Sequence, residues 1–240
     1  MKIKLKTCLV VCLVFVAALL SCKKDKPKGE TVTDVDGNVY HTVKIGTQTW
    51  MLENLSVTKL NDGVTPIDNL SNTDSWKNAS KAAYCWYNND QTNKGKYGAL
   101  YNGFAVKTGK LAPQGWHVAT SIDWNTLIDY LIANGYNYDK TTTGNKMAKS
   151  VASAFGWDID NTDGSVGNNQ TSNNKSGLTI QPSGIRNFDA LFVNQGKSAS
   201  FWISNVDALS NSYGIHYTSS SLYFGGFGLT HGLSVRCVKD

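Results

Sequence analysis

Three aspartates lie close together in the middle of the chain, in the run DIDNTDG at residues 158–164. Oxygen-bearing side chains at such short spacing could hold a hard cation such as Ca²⁺. An EF-hand loop, however, needs its glycine at position six and a glutamate at position twelve. Here Gly164 is seventh and Asn169 is twelfth. The run therefore favours a solvated, turn-forming loop, and no metal site is predicted.

An aromatic residue, Trp157, directly precedes this acidic run. An exposed aromatic ring beside carboxylates and amides is one way in which proteins hold sugars or partner surfaces. The slightly favoured alternative is that the aromatic residues next to polar loops, Trp76, Trp157, Tyr136 and Tyr138, anchor those loops to the core. The predicted ligand-binding residues are Trp157, Asp158, Asp160 and Asp163.

The cysteine count predicts one disulfide. Cys8 and Cys12 lie in an N-terminal export segment and Cys22 lies at its end, so Cys85 and Cys237 are the two thiols left in the mature chain. Disulfides persist in exported proteins, and a bridge closing so long a loop would add roughly 3–5 kcal/mol of stability in the chain-entropy model. Two buried free thiols are the alternative, because sequence does not give the bridging geometry.

The sequence shows little sign of catalysis. The four histidines are not spaced as metal ligands, and His117, at a predicted strand–helix junction, is interpreted as a hydrogen-bonded structural residue. There is no Gly-x-Ser-x-Gly elbow and no nucleotide-binding loop. We therefore expect a protein that is not an enzyme, with no catalytic residue and no cofactor.

Residues 1–21 have the pattern of a bacterial export signal. Lys2, Lys4 and Lys6 precede an apolar run from Leu9 to Leu20, which is shorter than the roughly 20 residues of a membrane span. The run ends LLSC, which resembles a lipobox cleaved before Cys22. Cys22 is thus the predicted lipidation site, and stable attachment to a membrane needs more than one acyl chain.

The basic character of the chain comes from its N-terminus. Removing residues 1–21, with three lysines and no acidic residue, lowers the formal net charge from +5 to +2. The remaining +2 lies in residues 22–31, with four lysines against two acidic residues, and this segment is interpreted as a flexible tether. A nearly neutral folded part, residues 32–240, gives no reason to expect nucleic acid as a partner.

One long helix organises the predicted domain. Thr120 is a candidate N-cap with Asp123 as its capping-box partner, and Gly135 is a stop signal. Between them an apolar stripe recurs at helical spacing, formed by Trp124, Leu127, Ile128 and Leu131. Short strands are predicted around it at 39–45, 48–52, 82–87, 116–118, 178–181, 190–193, 200–204, 214–218, 222–224 and 234–238. With a shorter helix at 145–154 and a long exposed loop at 158–177, the fold class is α+β with mainly antiparallel strands.

A set of motifs spread along the chain resembles one known family, the Fibrobacter succinogenes major paralogous domain of Bacteroidetes and Fibrobacter lipoproteins. The motifs are DGNVY at 36–40, VKIG at 43–46, QTWMLENL at 48–55, YCWYN at 84–88, YGALYN at 97–102, PQGWHV at 113–118, DW at 123–124, FW at 201–202 and SVRCV at 234–238. The resemblance implies a C-type-lectin-like fold, distantly related to formylglycine-generating enzymes. The chain departs from the family at Ala112, often a cysteine, and at Ala119, often a proline, so the family's cysteine pairing need not apply.

These features together predict a lipid-anchored, non-catalytic binding module outside the cytoplasm that recognises a glycan or a surface protein. The lipid places it in the bacterial cell envelope, on the outer membrane, at the periplasmic face or the cell surface. A structural or adhesive scaffold without a small ligand is the main alternative. An enzyme resembling the formylglycine-generating enzymes is the less favoured one.

Overall fold

The computed structural model describes residues 29–204 and 210–240. The predicted signal at 1–21, the lipidation site Cys22 and most of the tether lie outside the described residues. Within them the chain forms an α+β domain of small sheets, short helices and long connections. No helix in the described part is both long and apolar enough to cross a bilayer.

The described chain contains thirteen strands and five α-helices. The strands are β1 (Thr31–Thr33), β2 (Val39–Ile45), β3 (Gln48–Met51), β4 (Asp68–Asn69), β5 (Ala83–Cys85), β6 (Leu100–Tyr101), β7 (Trp116–Val118), β8 (Ser183–Arg186), β9 (Phe192–Gln195), β10 (Ser198–Trp202), β11 (Ser210–His216), β12 (Tyr223–Phe227) and β13 (Cys237–Lys239). The helices are α1 (Thr73–Lys77), α2 (Lys94–Tyr97), α3 (Gly103–Lys107), α4 (Ser121–Ala133) and α5 (Ala148–Val151). Short 3-10 turns lie at Tyr87–Asn89, Gln91–Asn93 and Gln170–Ser172.

The strands form two five-stranded sheets and one three-stranded sheet. The first has the order β1-β2-β3-β13-β7 and brings the C-terminal strand between two early strands, with Val238 opposite both Trp50 and His117. The second has the order β12-β11-β10-β8-β9, with one parallel pair between β8 and β10. The third joins β4, β5 and β6. The first sheet therefore ties the two ends of the described chain together.

Helix α4 packs between the two large sheets. Its predicted capping box is confirmed, because Asp123 N donates to Thr120 Oγ1 at 3.1 Å and Thr120 N donates to Asp123 Oδ2 at 2.8 Å. The four apolar residues of its stripe are buried, as predicted. Trp124 lies 4.9 Å from the ring of Trp50 in β3 and 5.4 Å from that of Phe201 in β10. One indole thus joins both sheets in a single core.

Three predicted elements differ from the structure. The second helix covers only Ala148–Val151, and residues 178–181 form no regular strand, whereas Ser183–Arg186 does. The loop at 158–177 is partly buried, at residues 164–167. Gly167 N donates to Tyr217 O at 2.7 Å, and a Cβ at Gly167 would lie 2.5 Å from Asp158 O. This polar segment was predicted to be exposed, but its glycines have no side chain and so allow the backbone to pack closely against neighbouring residues.

The predicted Cys85–Cys237 disulfide is wrong, because both cysteines are free and buried. Cys85 lies in the third sheet and packs in a cluster with Trp76 and Leu100, whereas Cys237 lies in the first sheet and packs in a different cluster. Burial raises the pKa of each thiol to about 12. Both are therefore protonated core side chains at neutral pH.

His117 joins helix α4 to the end of the chain. Its Nε2 lies 3.0 Å from Asp123 Oδ2, and its Nδ1 lies 2.7 Å from Asp240 Oδ1. Burial opposes a charge on the ring, but hydrogen bonds to Asp240 and Asp123 outweigh it and raise the pKa of His117 above its ordinary value. The interpretation of His117 as a hydrogen-bonded structural residue agrees with these contacts.

We expect His117→Gln to destabilise the domain more at pH 5.5 than at pH 8.5. Because folding raises this pKa, the stabilisation is fully present below the unfolded-state value of about 6.5 and is lost as pH rises through the folded-state pKa. The ring is partly exposed, so the loss at pH 5.5 should be about 1 kcal/mol or less. Urea unfolding at both pH values measures it. An equal loss of stability at both pH values would contradict a charged His117. Asp240→Asn removes one of the two carboxylates that raise this pKa, so it too should destabilise the domain more at pH 5.5 than at pH 8.5.

Candidate functional site

A groove of two joined compartments lies beside the end of β3. The larger has a volume of about 460 Å³ and the smaller about 230 Å³. Both are lined by Glu53, Asn54, Gly95 and Lys96, so they adjoin each other. These residues come from the segment after β3 and from helix α2, which lie far apart in sequence.

The floor of the groove is the guanidinium of Arg236, which is only 1% exposed. Its Nη1 donates to Met51 O at 2.8 Å and to Leu178 O at 3.2 Å, and its Nη2 donates to Asn54 Oδ1 at 2.7 Å. Burial lowers the pKa of Arg236 to about 10, so the group remains a cation at neutral pH. Its hydrogen bonds within the described chain go to neutral oxygens, which spread the charge without cancelling it.

Asn54 connects this floor to the opposite wall. While its Oδ1 accepts from Arg236, its Nδ2 donates to Tyr97 O at 2.8 Å and to Ser234 Oγ at 3.2 Å. Gly98 follows with φ +70°, and a Cβ there would lie 2.7 Å from the Cβ of Asn54. Glycine is therefore required for α2 to approach the floor this closely. The wall that carries Lys96 is held by backbone and amide contacts.

The far wall carries an exposed aromatic ring and an unsatisfied acceptor. Phe155 lines the larger compartment with 62% of its surface exposed. Gln181 lines the same compartment, and its Oε1 is buried without a hydrogen-bond partner in the described chain. Thr179, also in the lining, has a left-handed backbone (φ +55°) fixed by a hydrogen bond from its N to Asn174 Oδ1 at 2.9 Å. A buried acceptor of this kind is costly unless a donor reaches it.

The rim of the groove carries charges of both signs. Glu53 accepts from the backbone N of His41, and its other oxygen lies 2.8 Å from the His41 ring. Lys96 Nζ lies 4.8 Å above the ring of Tyr97. Among the described residues no group of three or more His, Cys, Asp or Glu side chains could hold a metal ion. The groove thus offers hydrogen-bonding groups and an apolar face on a rigid floor, an arrangement suited to binding a polar ring.

The residues predicted from the sequence as a binding site lie outside this groove. Trp157 is 5% exposed, and its Nε1 donates to Ser153 Oγ at 3.0 Å inside the main core. The prediction of an available ring face is therefore wrong, and Trp157 anchors its loop to the core. Asp158 and Asp163 are exposed and Asp160 is partly buried, and these three residues do not line the groove. Hydrogen bonds within its own loop, including one from Thr162 N to Oδ2 at 3.1 Å, lower the pKa of Asp160 and keep its carboxylate charged.

The groove residues were missed although two of them had a signal in the sequence. Arg236 lies between Val235 and Cys237 in SVRCV, and Asn54 lies with Glu53 between Leu52 and Leu55 in LENL. A polar side chain inside an otherwise apolar motif is expected to be buried and hydrogen-bonded. Phe155 and Gln181 carry no comparable signal, because their neighbours in sequence are mixed.

We expect Arg236→Met to lower the free energy of unfolding by about 3 kcal/mol, because three buried acceptors would lose their donor. Urea unfolding monitored by tryptophan fluorescence measures this change. Lys239→Met is the matched control, since Lys239 makes one exposed ion pair with Glu30 at 3.3 Å. The control should change stability by less than about 0.5 kcal/mol. Equal stability of the two variants would show that the floor does not depend on Arg236.

Comparison with known proteins places most of the chain in one family. The model of the Fibrobacter succinogenes major domain matches residues 43–239, which include both walls and the floor of the groove. No curated protein and no solved structure matches the chain.

Proposed function

The chain belongs to the Fibrobacter succinogenes major domain family, and we propose that it is a non-catalytic domain that binds a glycan in the groove between Phe155 and Lys96. The observation that carries this proposal is the exposed ring of Phe155 in the same compartment as hydrogen-bonding groups and a buried arginine. Sugars present an apolar face of C–H groups and an edge of hydroxyls. This groove offers a partner for each.

The hydrogen-bonding groups favour a ligand rich in hydroxyls. Gln181 Oε1 lacks a donor in the described chain, and a hydroxyl can donate to it. Lys96 can donate to a hydroxyl oxygen at the opposite wall. A hydroxyl both donates and accepts, so one sugar ring can satisfy groups of both kinds, which a purely apolar ligand cannot do.

The shape of the groove favours more than one sugar unit. The compartment with Phe155 is about twice the size of the compartment beside Tyr40, and the two meet at Asn54. A volume of about 460 Å³ lies within the usual range for small-molecule sites. An oligosaccharide would extend from the aromatic wall past Asn54 into the smaller compartment.

The residues of the groove support binding rather than hydrolysis. Glycoside hydrolysis requires two carboxyl groups flanking the scissile bond. Among the described residues that line the groove, Glu53 supplies the one carboxylate, and it is already engaged by His41. We therefore propose a non-catalytic role. The C-type-lectin-like fold that the family resemblance implies is also part of this proposal.

Phe155→Ala should weaken glycan binding roughly threefold to tenfold, because an aromatic contact contributes about 0.5–1.5 kcal/mol. A glycan array identifies the ligand, and titration calorimetry then measures both variants. Phe188→Ala is a closely matched control, since Phe188 is 60% exposed and does not line the groove. Equal losses in the two variants, or binding that needs neither ring, would contradict the assigned site. A chain that binds no glycan would favour the scaffold role instead.

We also propose that the domain is tethered to the outer membrane through a lipid on Cys22. The motif LLSC after a short apolar run supports this proposal. Cys22→Ala should therefore move the protein from the membrane fraction to the soluble fraction of its native host, as measured by fractionation and immunoblotting. Cys12→Ala, inside the predicted signal, is the control and should leave the protein in the membrane fraction. Retention of both variants would argue against lipidation.

A further inference from the structure

A second pocket lies at the C-terminal end of helix α4, apart from the groove. It has a volume of about 300 Å³ and shares no lining residue with either compartment of the groove. Three lysines line it, Lys140, Lys149 and Lys175, together with Tyr136 and Tyr138. No aspartate or glutamate is among its described lining residues. The pocket therefore has a single sign of charge, unlike the groove.

Lys149 places a cation in the wall of this pocket, and no carboxylate of residues 29–204 or 210–240 forms an ion pair with it. The side chain is partly buried, and its Nζ donates to the carbonyls of Ser165 (3.2 Å) and Asn168. Burial lowers the pKa of Lys149, as expected where no acidic group offsets the loss of water. Asp139, on the adjacent loop, does not neutralise it, since its carboxylate is engaged by Lys146 at 2.6 Å.

Lys175 is a second lysine of the lining that donates to a backbone carbonyl. Its Nζ donates to Gly135 O at 3.3 Å and lies 4.9 Å above the ring of Tyr136. These contacts fix the ammonium but leave it without a counter-ion among the described residues, because Lys175 forms no ion pair there. An ammonium has three N–H donors, so at least one remains for a ligand.

The loop that closes the pocket is held rigidly by Asn137. This side chain is 3% exposed, and its Nδ2 donates to the carbonyls of Thr141, Thr143 and Gly144 at 2.9–3.2 Å. Its Oδ1 accepts from Lys146 N at 3.0 Å. The loop that carries Tyr138 and Lys140 is thus ordered before any ligand arrives, which lowers the entropic cost of binding.

We infer that this pocket binds an oxyanion, a sulfate, phosphate or carboxylate group, carried on a small molecule or on a polysaccharide. Lysine ammonium groups act as point charges for such anions. One face of each aromatic ring is already covered, because Lys175 lies above Tyr136 and the backbone of Gly164 packs on Tyr138, so the lysines supply the main contacts. Recognition therefore depends on charge, which separates this site from the groove.

The test compares two double variants of equal charge change. Lys140→Gln with Lys175→Gln alters the pocket, while Lys107→Gln with Lys110→Gln removes two exposed lysines outside it. Lys149 is left unchanged because it also holds two backbone carbonyls. Binding of dextran sulfate is measured at fixed ionic strength by titration calorimetry, with neutral dextran as the uncharged probe and thermal unfolding as the check on folding.

The pocket variant should bind dextran sulfate roughly tenfold more weakly, and the control should lose less than about twofold, because each exposed charge contact changes affinity only severalfold. Neutral dextran should bind both variants equally. Competition by inorganic sulfate would show that the free anion suffices, whereas its failure to compete would show that the anion must be carried on the polymer. Equal losses in both double variants, or no binding of dextran sulfate by the unaltered protein, would overturn the inference.

Discussion

The groove depends on the buried guanidinium of Arg236. Taking a cation out of water costs several kcal/mol, and no carboxylate within hydrogen-bonding distance offsets that cost in the described chain. The charge is stabilised by carbonyls of Met51 and Leu178 and by the amide oxygen of Asn54, with the ring of Phe201 5.5 Å away. These oxygens come from separate segments, so the same bonds that satisfy Arg236 fix the floor and both walls of the groove.

A second buried arginine organises the third sheet by the same principle. Arg186 is 1% exposed, and it donates to the carbonyls of Leu70 (2.6 Å), Ser71 (3.1 Å) and Ala190 (3.1 Å). Its guanidinium also lies 4.5 Å from the ring of Trp76. Much of this chain lies outside regular helices and strands, where backbone carbonyls lack the partners that a sheet would supply. The five donors of an arginine satisfy several of these carbonyls at once and so order long connections.

Features with a local signal could be predicted from the sequence, while those that depend on distant segments could not. Strands β2 and β7 and the capping box of α4 were predicted correctly, because alternation and capping act over a few residues. Strand β8, Ser-Gly-Ile-Arg, is buried at every position and shows no alternation, so it was missed. Asn54 and Arg236 are 182 residues apart and meet only through the strand order of the first sheet. The prediction of a disulfide was wrong for the same reason, because pairing two cysteines requires knowing which sheets carry them.

The groove and the basic pocket require opposite hydrogen-bonding chemistry. In the groove, Gln181 Oε1 has no donor among the described residues, so its ligand should bring an O–H or N–H group. In the pocket, the ammonium groups of Lys149 and Lys175 need further acceptors, so its ligand must bring oxygens and negative charge. A sulfate or carboxylate group has no proton to give to Gln181, and a neutral sugar has no charge to offset the lysines. The anionic group therefore fits the pocket better and the neutral sugar fits the groove better, because each would leave polar atoms unpaired in the other site. A glycan that carries anionic substituents is the class of ligand that contains both groups.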